Sequence, residues 1–382
     1  MEKEFVCPRC GNKDPRYIGY RKGEPYCRRC ISFLGEQAKP SLAKPREVTI
    51  SLRYHLSKEQ EELSQQIIKN YLMNIDTLVY AVCGAGKTEL SYGVIATALR
   101  EGKQVGFALP RRDVVIELFW RLKEAFPEVK VVAVYGEHTF ALTGDIIILT
   151  THQLYRYPQY FDLLVMDEID AFPFKDNSLL IQMYKKSLKG RCVMMSATPS
   201  KEVLNEFRKP RHDIVELRTR FHKHPIPVPR FVTLPTVLQL CYLIKKIKEY
   251  KIRKKPCFIF VNSIAKSQSI FKILAKFQPN GNFVNSKRKD RDKIIRSFKN
   301  GVYDYLVTTS VLERGVTIKD LQVIVVGSDE EKVYRSSTLI QIAGRAGRKM
   351  DAPTGEVIFL SERVNKEMKD AKREIEFCNT FL

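Results

Sequence analysis

A glycine-rich loop between an apolar run and an amphipathic stretch is the part of the sequence best suited to chemistry. The loop reads Ala81-Val82-Cys83-Gly84-Ala85-Gly86-Lys87-Thr88. Glycine at its two key positions lets backbone amides approach a phosphate, because a side chain there would block the donors. Lys87 is predicted to reach the outer phosphates of ATP, and the Thr88 hydroxyl to ligate magnesium. The residues assigned to the nucleotide are Gly84, Ala85, Gly86, Lys87 and Thr88.

An acidic box, Asp167-Glu168-Ile169-Asp170, follows the apolar run Leu163–Met166. At the end of a buried strand, Asp167 is predicted to hold the magnesium ion, and Glu168 to polarise the attacking water as a general base. The alternative is an acidic cluster that caps a helix. The matching phosphate loop upstream favours the catalytic interpretation.

Two arginines in the segment Gln341–Arg348 are candidates for stabilising the γ-phosphate. Arg345 and Arg348 are three residues apart, so both lie on one face if the segment is helical. We predict that they act as arginine fingers from a second domain, so that ATP bridges two domains and hydrolysis releases them. A basic helix that follows a phosphate backbone is the alternative.

Four cysteines near the start of the chain form the pairs Cys7-Pro8-Arg9-Cys10 and Cys27-Arg28-Arg29-Cys30. Each CxxC pair makes a tight turn with both thiolates pointing at one spot, and two such turns give closed tetrahedral coordination. We predict a structural zinc ion bound by all four, with disulfides or unrelated cysteines as the alternatives. Three tyrosines in this module are open to two roles, stacking on bases or filling a small core around the metal: Tyr17, Tyr20 and Tyr26.

Basic residues are in clear excess, with 65 Lys and Arg against 43 Asp and Glu, a net charge of +22. This surplus favours a polyanionic partner, with a solvated basic surface as the alternative. No apolar run approaches the roughly 20 residues of a membrane span, and no apolar signal-peptide core is visible. The nine cysteines fit a reducing compartment. We therefore expect a cytoplasmic protein.

The elements that must position these motifs form two blocks of short apolar runs separated by amphipathic stretches. The runs are Leu78–Val82, Val105–Leu109, Ile146–Leu149, Leu163–Met166 and Cys192–Met195, then Cys257–Val261, Tyr305–Val307, Val323–Val326 and Val357–Leu360. Such runs are typical of parallel strands covered on both faces by helices. A helix is expected from about Thr88 to Arg100. We predict an α/β protein with a zinc module at 1–38, tandem domains at 48–221 and 230–365, and a helical tail at 366–382.

Several other residues invite functional roles that we do not assign. His222 and His224 lie in a proline-rich linker and are expected to be exposed. Trp120 is expected to be packed in a helix. The remaining cysteines outside the phosphate loop are expected in the core: Cys192, Cys241, Cys257 and Cys378.

In chain order, these motifs and several shorter ones resemble those of superfamily-two helicases over residues 50–365. The resemblance implies two RecA-like domains, an adenine contact at Gln60, and a coupling motif at Ser196-Ala197-Thr198. In the fifth motif, Thr308–Thr317, it places Gly315 and Thr317 at the nucleotide. It implies contacts to a nucleic-acid strand at Pro110, Arg111, Arg112, Thr151, His152, Asn262, Ser263 and Thr309.

The four-cysteine module and the acidic box, followed here by Ala171-Phe172-Pro173-Phe174, resemble the bacterial late-competence ComFA family. That resemblance implies an ATP-driven translocase on single-stranded DNA, moving 3′ to 5′ in natural transformation. It also implies competence proteins near a membrane DNA channel as partners, at the inner face of the cell membrane, and leaves homo-oligomerisation open. Thr317 stands where DEAD-box enzymes place an acidic residue, which argues against RNA unwinding.

Two alternative functions are carried alongside this prediction. One is a replication-restart or repair helicase that unwinds duplex DNA, against which stands the lack of an obvious strand-separating domain. The other is an ATP-switched scaffold that binds nucleic acid without motor activity. Glu168, Arg345 and Arg348 argue against the scaffold, because a switch does not need a hydrolytic base.

Overall fold

The computed structural model describes residues 5–33, 35–39, 44–52, 54–313 and 316–382. Gly315, predicted at the nucleotide, therefore lies outside the described residues. The chain divides into two compact units, one made of Met1–Ala81 with Gly86–Leu217 and the other of Val82–Ala85 with Arg218–Leu382. None of the helices in the described part of the chain combines the length and hydropathy that a bilayer crossing demands.

The four-cysteine module is a small hairpin flanked by two 3-10 turns. Strands β1 (Ile18–Arg21) and β2 (Glu24–Cys27) pair antiparallel. Lys22 and Gly23 join them with φ angles of 50° and 84°, the left-handed backbone that a two-residue hairpin turn requires. The hairpin and the 3-10 turn Arg28–Cys30 place the second cysteine pair beside the first.

The first unit is a seven-stranded sheet in the order β5-β6-β4-β7-β8-β3-β9, with every neighbouring pair parallel. Its strands are β3 (Asp76–Ala81), β4 (Val105–Leu109), β5 (Val131–Val134), β6 (Ile146–Thr150), β7 (Phe161–Met166), β8 (Leu188–Ser196) and β9 (His212–Leu217). Its helices are α1 (Lys58–Leu72), α2 (Lys87–Leu90), α3 (Tyr92–Arg100), α4 (Arg112–Ala125), α5 (Ser178–Ser187) and α6 (Lys201–Glu206). Central strands such as β4 and β6 are buried along their whole length, which explains their unbroken apolar sequence.

The second unit is a six-stranded parallel sheet in the order β10-β15-β14-β11-β13-β12. Its strands are β10 (Arg230–Thr233), β11 (Cys257–Phe260), β12 (Gly281–Val284), β13 (Tyr305–Thr308), β14 (Gln322–Val326) and β15 (Val357–Ser361). Its helices are α7 (Thr236–Ile252), α8 (Ile264–Phe277), α9 (Arg291–Lys299), α10 (Ser336–Ala343) and α11 (Lys366–Asn379). Two parallel sheets with crossover helices confirm the predicted fold class.

Several local predictions were wrong. The helix expected after the phosphate loop is two helices, because Ser91 separates α2 from α3. Trp120 is 61% exposed rather than packed, since it lies on the outer face of α4. Cys241 is exposed, whereas Cys192, Cys257 and Cys378 are buried as expected.

Candidate active site

The phosphate loop follows β3, at the carboxyl edge of the first sheet, where parallel α/β sheets bind ligands. Gly84 and Gly86 have φ angles of 86° and 80°, a conformation that is strained for residues with a Cβ. Lys87 begins α2, and its Nζ donates to the Ala81 carbonyl at 3.1 Å. A lysine ammonium has three donors, so this anchor leaves two N–H groups for phosphate oxygens.

Gln60 lies against this loop, and its side chain is held in place by Ser57. Its Oε1 accepts from the Ser57 amide at 2.9 Å, while the Ser57 hydroxyl accepts from the Gln60 amide at 3.3 Å, which caps α1. A Cβ at Gly86 would lie 2.6 Å from the Gln60 Nε2. The cap therefore fixes the Gln60 amide next to the loop, and its predicted contact with adenine stays a prediction.

The acidic box follows β7 at the same edge of the sheet. The Glu168 amide donates to Asp167 Oδ1 at 2.7 Å, and Glu168 adopts a left-handed φ of 57°. The next helix is α5, and its N-cap is Asn177. The helix-capping alternative for the box is therefore wrong.

Asp170, to which the sequence assigned no role, connects the box to the coupling motif. Its Oδ1 accepts from the Ser196 hydroxyl at 2.8 Å and its Oδ2 from the Thr198 hydroxyl at 2.7 Å. Both hydroxyls lie at the end of β8, which pairs with β7. The signal for this link was the presence of two hydroxyls in a motif that follows a strand, since buried hydroxyls need partners.

The residues of the first unit that are predicted to contact a nucleic-acid strand follow two neighbouring β-strands. Pro110 follows β4, with Arg111 at the N-cap of α4 and Arg112 at its first residue. Thr151 and His152 follow β6 in the 3-10 turn Thr151–Arg156. Since β4 and β6 are paired, the structure brings both motifs to one edge.

Burial lowers the pKa of His152. Its ring is stacked on Phe33 at a centroid distance of 6.2 Å. A depressed pKa leaves the imidazole neutral at pH 7. His152 can therefore offer a phosphate an N–H group but no positive charge.

The four cysteines of the module converge. Their Sγ atoms all lie within 4.8 Å of one another and all four side chains are buried. They form no disulfide, which removes that alternative. Burial raises the pKa of Cys10 to about 11 and also raises that of Cys30, so holding these two as thiolates at neutral pH requires a nearby cation. The tetrad has the ligand number and chemistry of a structural zinc site.

This module packs against the rest of the first unit through its backbone carbonyls. Lys186, on α5, donates through Nζ to the carbonyls of Cys7 and Pro8 at 3.0 and 2.6 Å. Arg156 donates to the Glu36 carbonyl at 2.7 Å. The four cysteines belong to the same buried cluster as residues of β6, β7 and α5. The module and the 3-10 turn that carries His152 are therefore parts of one core.

In the second unit, Asn262 and Ser263 follow β11, and Thr309 follows the adjacent strand β13. All three lie at the carboxyl edge of that sheet. Ser263 also caps α8, because its hydroxyl accepts from the Lys266 amide at 3.2 Å. Thr317 is half-buried in a segment without regular structure.

The two candidate arginine fingers follow α10 and differ in burial. Arg345 is 2% exposed and donates to the carbonyls of Glu313 and Val316 at 2.6 and 2.8 Å. Arg348 is half-buried and donates through Nε to the Gly344 carbonyl at 3.0 Å. Arg345 thus connects the segment Gln341–Arg348 to the fifth motif, and the finger role of both residues stays a prediction.

Arg220 is a buried cation that the sequence did not single out. Its guanidinium donates to the carbonyls of Gly344, Ala346 and Gly347 at 2.6 to 3.1 Å. Burial lowers its pKa to about 10, with repulsion from Arg348 as a further cause. His222 is also buried, with its Nε2 3.0 Å from the Gly347 carbonyl. The expectation of an exposed His222 was wrong because its ring packs on this same loop.

We expect Arg220→Gln to lower kcat for ATP hydrolysis about 10-fold or more, because it would displace the predicted fingers Arg345 and Arg348, and small displacements of catalytic groups have effects of this size. The substitution removes the fork that binds three carbonyls of the loop carrying Arg345 and Arg348. KM for ATP should change little, and Arg220→Lys should restore only part of the rate since lysine lacks the planar fork. Arg230→Gln, which removes an exposed ion pair with Glu356 in the same unit, is the control. Equal kcat in the two glutamine variants would contradict the prediction.

Comparison with known proteins defines the class of protein to which this chain belongs. Residues 61–207 match the DEAD/DEAH box helicase family, and residues 237–350 match the helicase conserved C-terminal domain. The protein is an ATP-dependent enzyme of the helicase class. It is 34% identical to competence protein ComFA of Streptococcus pneumoniae, over 99% of this chain and 92% of that protein. It is 32% identical to competence protein ComFA of Bacillus subtilis, over 99% and 86%. The chain belongs to the ComFA family.

Solved helicase structures share the fold. Dbp5 of S. cerevisiae, bound to RNA and ADP BeF3, aligns with a TM-score of 0.64 and 16% identity over 86% of this chain and 93% of that chain. Lhr of Mycobacterium smegmatis, bound to ssDNA and AMP-PNP, aligns with a TM-score of 0.62 and 16% identity over 85% and 50%. These similarities confirm two RecA-like domains.

Proposed function

We propose that this member of the ComFA family is a motor that uses ATP hydrolysis to move along single-stranded DNA during DNA uptake in natural transformation. Membership of a family of competence proteins over the whole chain is the observation that carries the proposal. The net charge of +22 favours a polyanionic substrate. We place the protein in the cytoplasm, at the inner face of the membrane near a DNA channel, with other competence proteins as partners.

In this proposal the phosphates of ATP lie on the loop amides of Gly84–Thr88, and Lys87 neutralises the outer phosphates. Thr88 and Asp167 would hold a magnesium ion, which neutralises phosphate charge when bound. Glu168 orients water and accepts its proton. Arg345 and Arg348 stabilise the charge that develops on the γ-phosphate, and Gln60 selects adenine.

In the proposed motor, single-stranded DNA is bound at the carboxyl edge of each sheet. Arg111 and Arg112 provide the positive charge in the first unit, and Asn262, Ser263 and Thr309 provide hydrogen bonds in the second. Contacts to the backbone carry no sequence information, so binding should tolerate any sequence and weaken with salt. Zinc bound by Cys7, Cys10, Cys27 and Cys30 would supply structure rather than chemistry.

Parallel assays of ATP hydrolysis with single-stranded DNA, duplex DNA and RNA test the proposal. We expect single-stranded DNA to raise the rate severalfold, because a motor hydrolyses ATP productively only when both grips are engaged. The same rate with and without single-stranded DNA would contradict a motor and favour the ATP-switched scaffold. Separation of a labelled duplex by the same preparation would favour a repair or restart helicase.

A further inference from the structure

A short loop after β5 carries the most exposed phenylalanine on the described part of the chain. The loop, here named the aromatic loop, consists of residues Tyr135–Phe140. It is closed by two backbone hydrogen bonds, from the Tyr135 amide to the His138 carbonyl at 3.2 Å and from the His138 amide to the Tyr135 carbonyl at 2.7 Å. Gly136 turns the chain with a φ of 47°. Phe140 is 90% exposed.

The rings of this loop support one another. Tyr135 and His138 are stacked, with centroids 4.8 Å apart and an interplanar angle of 12°. Phe140 contacts His138 edge-on at 5.6 Å and 88°. The guanidinium carbon of Arg112 lies 5.1 Å from the Tyr135 ring centroid, within cation–π distance. Phe140 is therefore attached to a braced stack rather than to an isolated chain.

The aromatic loop lies beside the proposed nucleic-acid contacts of the first unit. Strands β5, β6 and β4 are adjacent and parallel, so the segments that follow them lie side by side at one edge. The segment after β4 contains Arg112, and the segment after β6 contains Thr151 and His152, all proposed strand contacts. Gln153, next in that segment, donates to the Gly136 carbonyl at 3.4 Å. The aromatic loop is thus tied to both proposed strand-contact motifs of the first unit.

Single exposed apolar residues are common on protein surfaces, so exposure by itself indicates nothing. What distinguishes Phe140 is that it belongs to a braced ring stack with the Arg112 cation on one end, beside motifs that we propose to bind a phosphate backbone. Aromatic rings in a basic groove bind single strands by stacking on base faces, and every base has such a face. Bases in a duplex are already stacked on each other and do not offer theirs.

We propose that Phe140 stacks on a base of the bound single strand, while Arg112 holds the neighbouring backbone. The inference rests on the proposed binding of single-stranded DNA and adds a base contact to it. The first unit then grips the strand in two chemically different ways. The phosphate contacts weaken with salt, and the stacking contact does not.

The test measures Kd for a fluorescent oligo-dT strand across a series of salt concentrations. Phe140→Ala should raise Kd about 10-fold, the effect of losing one stacked base. Its plot of log affinity against log salt should keep the wild-type slope, because no phosphate contact is lost. Arg112→Ala should instead reduce the slope by about 0.7, the value for one phosphate on a single strand. Phe140→Tyr should bind like the wild type.

Two controls separate stacking from general damage. Phe277→Ala removes a phenylalanine that is 58% exposed at the end of α8 in the other unit, and should leave Kd unchanged. On a strand of the same length made of abasic sites, the wild type and Phe140→Ala should bind equally, since there is no base to stack on.

Wild-type affinity for oligo-dT in Phe140→Ala would overturn the base contact and leave the motor intact. An equal loss of affinity on abasic and on normal strands would also overturn it, because the ring would then act through the fold. A wild-type protein that does not bind single strands would refute the proposed function itself. The wild-type measurement thus distinguishes the two failures.

Discussion

Lys87→Ala is expected to abolish ATP hydrolysis, with kcat falling by at least about 1,000-fold, while single-stranded DNA still binds in the absence of nucleotide. Lys87 begins α2 and is anchored to the Ala81 carbonyl at 3.1 Å, which directs the ammonium at the phosphate loop. Its loss removes the fixed positive charge that offsets charge developing on the phosphates, and electrostatic stabilisation of this kind is usually the largest catalytic contribution. The residues that we propose to contact DNA follow β4, β6, β11 and β13, whereas Lys87 follows β3. Steady-state ATPase assays and DNA titrations without nucleotide give the two values.

Glu168→Gln is the matched control for this prediction. It removes the proposed base but not the charge that binds phosphate, so ATP should still bind while turnover is lost. A fluorescent ATP analogue should therefore bind Glu168→Gln and bind Lys87→Ala weakly. Loss of DNA binding by Lys87→Ala without nucleotide would mean that the substitution disturbs the fold, and turnover close to wild type would disprove the assigned role.

Loss of the cysteine cluster is expected to destabilise the whole first unit. Cys10→Ser combined with Cys27→Ser leaves one ligand in each CxxC pair, too few to bind zinc tightly. Because the cysteines share a buried cluster with β6, β7 and α5, the damage should spread beyond the module. Loss of a structural metal costs about 4 kcal/mol or more, which corresponds to a fall in Tm of roughly 10 °C for a unit of this size.

Calorimetry and elemental analysis provide the measurements. The wild type should contain one zinc per chain, and chelation should lower its Tm toward that of the double variant. Cys241→Ser is the control, because this cysteine is exposed and lies outside the cluster. A double variant with the Tm of the wild type would show that the module contributes nothing to the stability of the unit.

The apolar runs in the sequence predicted the central strands of both sheets and missed all four edge strands. The missed strands are β5 and β9 in the first sheet and β10 and β12 in the second. A central strand is buried on both faces and reads as an unbroken apolar run. An edge strand such as β9, His212–Leu217, is partly exposed and mixes charged with apolar residues. Its place in the sheet is fixed by pairing with β3, which the local sequence does not encode.

The motifs of the candidate site were predictable because their chemistry is local. A phosphate loop or a CxxC pair needs particular residues at fixed spacing. Arg220 and Asp170 escaped notice because their partners are distant in sequence. Arg220 binds carbonyls more than 120 residues away, and a backbone carbonyl leaves no trace in the amino-acid type. Their roles follow only from the folded chain.

In the proposed motor, the two hydrogen bonds of Asp170 would make the acidic box and the end of β8 respond together to the state of the nucleotide. Asp170 lies two residues after Glu168, so a shift of the box toward a γ-phosphate would be transmitted to Ser196 and Thr198 through these two hydrogen bonds. ATP hydrolysis and movement along DNA would then be coupled through the single side chain of Asp170. A variant with alanine at both Ser196 and Thr198 should hydrolyse ATP in the presence of DNA at a near-normal rate. It should nevertheless move a shorter distance along the DNA for each ATP hydrolysed.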